Sequence, residues 1–253
     1  MIVRTDAVVL RHMAYGETSQ IVTLFTREHG KVSGLAKGAR KMPNRFGSAL
    51  EPMAYVQVVY YHKETRGLQT LTQSTHVRPW LGLSRHLAKL AVGQRMMEVL
   101  NGLLEEGEAN PSLFNLTVDV LAALDGAEHY ARNLLPYFEL QVAIRSGFTP
   151  RLDGDAIRAL PDEGGVLDLE RGAILTDAPS SASIRPASRG ALRAFALFCR
   201  LDLSTLLRME LTDAQRQEVE HLVEAYMQHH FDTAYPTRST RIIGQILDAA
   251  GNN

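Results

Sequence analysis

The chain has 253 residues, 45% of them hydrophobic and 22% charged, with 27 Lys+Arg against 28 Asp+Glu for a net charge of −1. That is apolar material for one large domain or two small ones, and it excludes disorder over the whole chain. No run of about 18 apolar residues marks a membrane-crossing helix. The start, Met1-Ile2-Val3-Arg4-Thr5-Asp6, is not expected to be a signal peptide, and the only cysteine, Cys199, excludes intrachain disulfides and cysteine-rich zinc sites. A reducing cytoplasm is the expected compartment.

Charge is unevenly placed. Residues 1–80 hold 11 Lys+Arg and 5 Asp+Glu, while residues 81–253 hold 16 and 23. A front of +6 on a body of −7 suggests two units with different partners, the front facing a polyanion.

In chain order, residues 3–13, 20–26, 32–37, 55–62 and 68–75 are rich in β-branched and aromatic residues and bounded by turn residues, which predicts strands. Five short strands without a helix fit an OB-type barrel. From Leu83 the spacing turns helical through Leu104, with Ser84 expected as N-cap. Asn110-Pro111 opens a second helix. A third covers 132–145, and Gly147 stands where a C-terminal glycine belongs. Residues 147–186, rich in Gly and Pro, read as an irregular insert with short strands at 165–169 and 173–175. Helices resume at Ser188, and Thr212 with Gln215 forms a capping box for a helix whose inward stripe is Val219, Leu222, Val223, Tyr226 and His230. A last short helix is expected from Ser239 or Thr240 through Leu247. The fold class is thus α+β: an OB-fold domain over 1–80, then a helical domain over 81–253 that contains the 147–186 insert.

Enzyme signatures are missing from the sequence. Gly30-Lys31-Val32 lacks the spacing and hydroxyl of a phosphate loop. Gly34, Gly38 and Gly47 do not form a dinucleotide fingerprint, and no serine sits in a nucleophile elbow. Cys199 lies in an apolar helical run and reads as a small hydrophobe. Glu218 and His221 share a helix face but have no second such pair. Asp153-Gly154-Asp155 lacks the rest of a calcium loop, and His229-His230 point apart on a helix. No catalytic residue, metal or cofactor is expected.

The strongest local signal is the segment 31–46, where Lys31, Lys37, Arg40, Lys41 and Arg45 occur without one acidic residue. Arg forks and Lys ammoniums suit phosphate oxygens, and the loops of an OB barrel line a groove for single strands. On the strand 55–63, Val56, Val58 and Tyr60 form one face. Tyr61 with Lys63 on the other is the candidate platform for a base and its phosphate; cover for the barrel core is the competing reading. An RNA-binding OB protein is an alternative to a DNA-binding one.

The chain resembles RecO, the bacterial recombination mediator family. The resemblance is carried by 17–30 (ETSQIVTLFTREHG), the basic 36–41 (AKGARK), 103–114 (LLEEGEANPSLF), and Phe138-Glu139-Leu140 leading into Gly147-Phe148-Thr149-Pro150. It implies the same two-part fold and a non-enzymatic DNA repair protein, active in the cytoplasm at the nucleoid. Such a protein binds single- and double-stranded DNA and anneals complementary strands. It also implies contacts with RecR and with the C-terminal tail of single-strand binding protein, helping RecA to load. Lys37, Arg40 and Lys41 match the family's basic loop. One departure stands out: many members carry a four-cysteine zinc site in the insert. Here the expected positions read Asp155, Arg158 and, near the second pair, Leu175 and Ala178, a zinc-site remnant without cysteines. The insert must then hold together through Ile157, Leu160, Val166, Leu169 and Ile174.

Overall fold

The structure is a computed structural model that describes residues 1–177 and 183–237. Strands β1 (Ile2–Tyr15), β2 (Ser19–Thr26), β3 (Gly30–Ala36), β4 (Tyr55–Tyr61) and β5 (Leu68–Arg78) close into a barrel in the order β1-β2-β3-β5-β4. Only β3 and β5 pair in parallel, with Ser33 opposite Leu68. Period-two alternation fills the interior: Val22, Leu24, Val56, Val58, Tyr60 and Leu71 point inward. This is the five-stranded OB-type barrel that the strand spacing predicts.

β1 outruns its neighbour β4. It pairs with β4 over residues 2–8 only, then passes an irregularity between Val9 and Arg11 and continues against β2 as far as Tyr15. Such bulges bend a strand and increase its twist. Residues 11–15 therefore have β2 as their one strand partner, a ribbon along the free edge of β1, while Gln20–Thr23 of β2 pair on their other side with β3.

Two helices complete the first compact unit, residues 1–126. α1 runs Leu87–Leu103 and α2 runs Pro111–Gly126. Ser84 does not cap α1. It lies in a short 3-10 turn over Leu83–Arg85, where its hydroxyl donates to the Leu81 carbonyl, and α1 starts after His86. Asn110 does cap α2, its Oδ1 accepting from Leu113 N at 3.0 Å. From α2, Phe114 reaches the barrel wall, edge-on to Phe25 at 5.5 Å and to Tyr55 at 6.2 Å. Burial, with Asp6 beside it, raises the Tyr55 pKa, so the ring stays neutral in this contact. Gly30, at φ 61, closes the β2–β3 turn so tightly against the Glu108 backbone that no side chain would fit.

The second compact unit covers residues 127–235. Its frame is α3 (Leu134–Arg145), α5 (Arg189–Phe198) and α7 (Asp213–Phe231), with the short α4 (Gly154–Arg158) and α6 (Leu203–Leu206). Gly147 takes φ 93 after α3, Ser188 caps α5, and Thr212 with Gln215 makes the expected capping box. Buried Asn133 ties the frame together. Its amide donates to the Leu206 and Met209 carbonyls, and its oxygen accepts from Arg216. On α7, Val219, Leu222, Val223 and Tyr226 are buried as expected. His230 is only half-buried and stacks on Phe148 at 4.6 Å.

The insert has more order than its composition suggests. β6 (Gly165–Asp168) pairs on one side with β7 (Ala173–Leu175) and on the other with β8 (Ile184–Ala187), a third strand absent from the sequence reading. Leu160, Val166, Leu169 and Ile174 are buried, and Ile157 is half-buried. At the first two zinc-like positions Asp155 and Arg158 form an exposed ion pair. Ala178 and the helix expected from Ser239 or Thr240 lie outside the described residues.

Candidate nucleic-acid interface

The sequence offers seven candidate side chains, five in the segment 31–45 and two at 61 and 63; the register divides them between the two ends of the barrel. β1 ends, β2 begins and β3 ends at one end, here the ribbon end. β2 ends, β4 ends and β5 begins at the other. Six residues at about 3.3 Å each put about 20 Å of chain between Lys31 and Lys37.

Lys37, Arg40, Lys41 and Arg45 gather at the ribbon end, all exposed. The loop that carries them (residues 37–54) is anchored from below. Ala39, Phe46, Ala49 and Leu50 join the barrel core, each no more than 4% exposed. Apolar residues between the cations thus turn a basic run into a folded ridge. Gly38, at φ 73, permits the tight turn in which Lys41 N donates to the Gly38 carbonyl. The Arg40 backbone N donates to Thr18 O, and its guanidinium donates to Gly16 O at 3.1 Å, joining the loop to the β1–β2 turn. Arg45 lies over the Phe46 ring, 4.6 Å from its centroid, and donates to the Lys37 carbonyl. The two arginines are held partly in place before any ligand arrives, so less side-chain entropy is lost on binding.

The ribbon supplies a neighbouring surface that the sequence reading missed. Arg11, Met13 and Tyr15 alternate along the outer face of β1, and Met13 and Tyr15 are about half exposed. An exposed aromatic side chain beside cations has the chemistry to stack a base next to phosphate contacts. The period-two spacing was the available signal. What hid it was the strand's expected end at 13, where β1 in fact runs on to Tyr15.

The other three candidates lie at the opposite end. The Lys31 ammonium donates to Asn101 O at 3.1 Å, near the C-terminus of α1, while its carbonyl accepts from Gly107 N. That cation is held by a helix end where cations are favoured. Tyr61 is half exposed, opposite Ile2 and Thr70, and Lys63 is exposed in the loop beyond it.

Elsewhere the chemistry is structural. Glu218 accepts from Ser188 N at the start of α5, and Asp153 caps α4. The Cys199 thiol donates to the Phe195 carbonyl, and burial pushes its pKa up to about 12, the wrong direction for a nucleophile. Among the described residues no group of three metal-ligating side chains comes together, and no helix is long and apolar enough to cross a membrane.

An OB-type barrel with a basic ridge at one end, followed by a helical unit, defines a two-part protein of the kind that handles nucleic acid. Comparison narrows the class. Residues 1–80 match the family described as Recombination protein O N terminal, and residues 84–239 match Recombination protein O C terminal. DNA repair protein RecO of Salinibacter ruber is 46% identical over 98% of this chain and 95% of its own length. The RecO of Rubrobacter xylanophilus is 35% identical over 76% and 80%, and that of Chloroherpeton thalassium 29% over 98% and 100%. The chain belongs to the recombination protein O family, and its role lies in DNA repair and recombination.

Proposed function

We propose that this chain is a non-enzymatic mediator that holds DNA by its backbone at the ribbon end of the barrel. It binds single and double strands and anneals complementary ones. With RecR, and through the C-terminal tail of single-strand binding protein, it helps RecA load onto coated strands. It works in the cytoplasm at the nucleoid. The observation that carries this reading is the anchored ridge of Lys37, Arg40, Lys41 and Arg45, four exposed cations on a folded loop. Family membership supports the partners.

The mechanism is neutralisation. Cations on the ridge screen the phosphates of two strands at once, lower their mutual repulsion and release condensed counterions. Arg11, Met13 and Tyr15 offer stacking to unpaired bases beside the ridge. Lys31, tied to α1, takes no part in the grip.

The test is strand annealing with and without single-strand binding protein, using the full chain and its Lys37→Ala/Arg40→Ala/Lys41→Ala variant. The variant should bind all sequences more weakly and anneal more slowly. Unchanged binding and annealing would remove the ridge from the mechanism. Tighter binding to structured RNA than to DNA at one salt concentration would favour the RNA-binding alternative.

A further inference from the structure

Beyond Val9 the β1 strand has an open edge. On the side away from β2, Val9 is the last residue served by backbone: its N donates to Ala54 O, and its carbonyl accepts from Met53 N. Residues 11–15 pair with β2 alone, and among the described residues no other backbone group bonds to them. Arg11, Met13, Ala14 and Tyr15 are all exposed. His12 turns its ring toward the loop, Nδ1 lying 3.1 Å from Leu50 O, and so does not cover the edge. A row of main-chain donors and acceptors thus faces water, the template on which another strand adds. No lysine or proline stands in 11–17 to block such an addition.

The side chains along this edge complement themselves. An antiparallel pair centred on Met13 is two-fold symmetric, as a closed contact between identical chains requires. It sets Met13 of each copy against Met13 of the other, and Arg11 of each against Tyr15 of the other. A guanidinium over a tyrosine ring is a favourable contact, and Glu17, exposed in the turn just beyond Tyr15, adds the opposite charge on the diagonal. Arg11 Nε donates to Thr23 Oγ1 at 3.3 Å, which steadies the stem and leaves both terminal nitrogens available. Arg11, Met13 and Tyr15 share the outer face, so pairing at the edge lengthens that face without covering it.

We infer that two copies of this chain join antiparallel along residues 11–15 of β1 when both hold DNA. Five residues bury too little for a stable dimer on their own, and the four exposed ridge cations of each copy repel those of the other. Bound strands change both terms. Phosphates neutralise the ridges, and a shared strand raises the effective concentration of the second copy. The inference goes beyond the ridge grip and rests on it only for the part that DNA plays. It gives an annealing assembly two ridges, one for each strand.

The test is disulfide cross-linking of the full chain carrying Cys199→Ser, a change that keeps a donor for the Phe195 carbonyl. Opposite residues of antiparallel strands stand about 4.5–5.5 Å apart at Cα, inside the about 4.4–6.8 Å that a disulfide spans. The control is Tyr61→Cys at the far end of the barrel, since Met13 and Tyr61 are matched in exposure at 51% and 50%. With diamide as oxidant and a long single strand present, Met13→Cys should form a covalent dimer about tenfold faster than Tyr61→Cys, the advantage of a held contact over collision. Arg11→Cys mixed with Tyr15→Cys should cross-link faster than either alone, which reads the register. Met13→Lys sets two ammoniums opposite each other. It should bind one short strand no more weakly, yet anneal complementary strands about fivefold more slowly. Cross-linking of Met13→Cys no faster than that of Tyr61→Cys would overturn the inference, as would annealing by Met13→Lys at the rate of the unaltered chain. If the unaltered chain does not anneal, the cross-link alone decides. Salt-steep DNA binding that survives a failed cross-link leaves the ridge grip standing, so the two failures are distinguishable.

Discussion

The two ends of the barrel use positive charge in opposite ways. At the ribbon end, Lys37, Arg40, Lys41 and Arg45 stand in solvent on a loop pinned by Phe46, Ala49 and Leu50. At the other end, Lys31 is held by the Asn101 carbonyl and shares a balanced cavity with Glu64, Arg66 and Glu106. In the proposed reading the solvent-facing cations meet a polyanion, whereas Lys31 is taken up by the protein's own helix α1. Equal cation counts in a sequence therefore do not mean equal contributions to binding; what the chain does with each carbonyl and ring nearby decides.

The comparison breaks most severely if the ridge loses its anchor. Phe46 is 4% exposed, and Phe46→Ala should cost about 3 kcal/mol or more, read from chemical unfolding. It should also weaken DNA binding without removing a single charge, because the cations would no longer be held together. A variant that unfolds as readily as the wild type would show that the loop is not seated in the core.

Lys31→Met should lower stability by about 1–2 kcal/mol through the lost charge-assisted hydrogen bond to Asn101. It should leave DNA affinity nearly unchanged at fixed salt. A loss of affinity like that of the ridge variants would return Lys31 to the grip.

Arg45→Met should cost no more than about 1 kcal/mol of stability, since its contact with Phe46 is at an exposed site. Its DNA affinity should fall by the value of about one phosphate contact. A larger drop in stability would mean that the guanidinium, not the Phe46 ring, fastens the loop.

The same contrast explains what the sequence made legible. The β-branched and aromatic run of β2, the alternation in β4, the Thr212–Gln215 capping box and the glycine after α3 are local, and each was readable from neighbouring residues. The division of the candidate residues was not. It depends on the parallel pairing of β3 with β5, Ser33 opposite Leu68, which is long-range and has no local signature. Lys31 and Lys37 stand at either end of the strand expected over 32–37, which alone sets them a strand's length apart; the end at which Tyr61 and Lys63 fall is what the pairing decides. Ser84 illustrates a smaller failure. It is a good capping residue in a plausible position, but a 3-10 turn intervenes and α1 starts after His86. In the insert, β8 escaped notice because Ile184–Ala187 contains Pro186, which argues against a strand. Arg11, Met13 and Tyr15 had the alternation on display, but their exposure depends on β4 stopping opposite Val8.

The most direct measurement of the central claim is the salt dependence of DNA binding for the full chain, for Lys37→Ala/Arg40→Ala/Lys41→Ala and for Lys31→Ala. Plotted as log affinity against log salt, the ridge variant should lose about 2 from the slope on single strands and about 2.7 on duplex, the value of three phosphate contacts. Lys31→Ala should keep the slope of the unaltered protein. Identical slopes for all three proteins, or a shallower slope for Lys31→Ala alone, would contradict the assignment of the grip to the ribbon end.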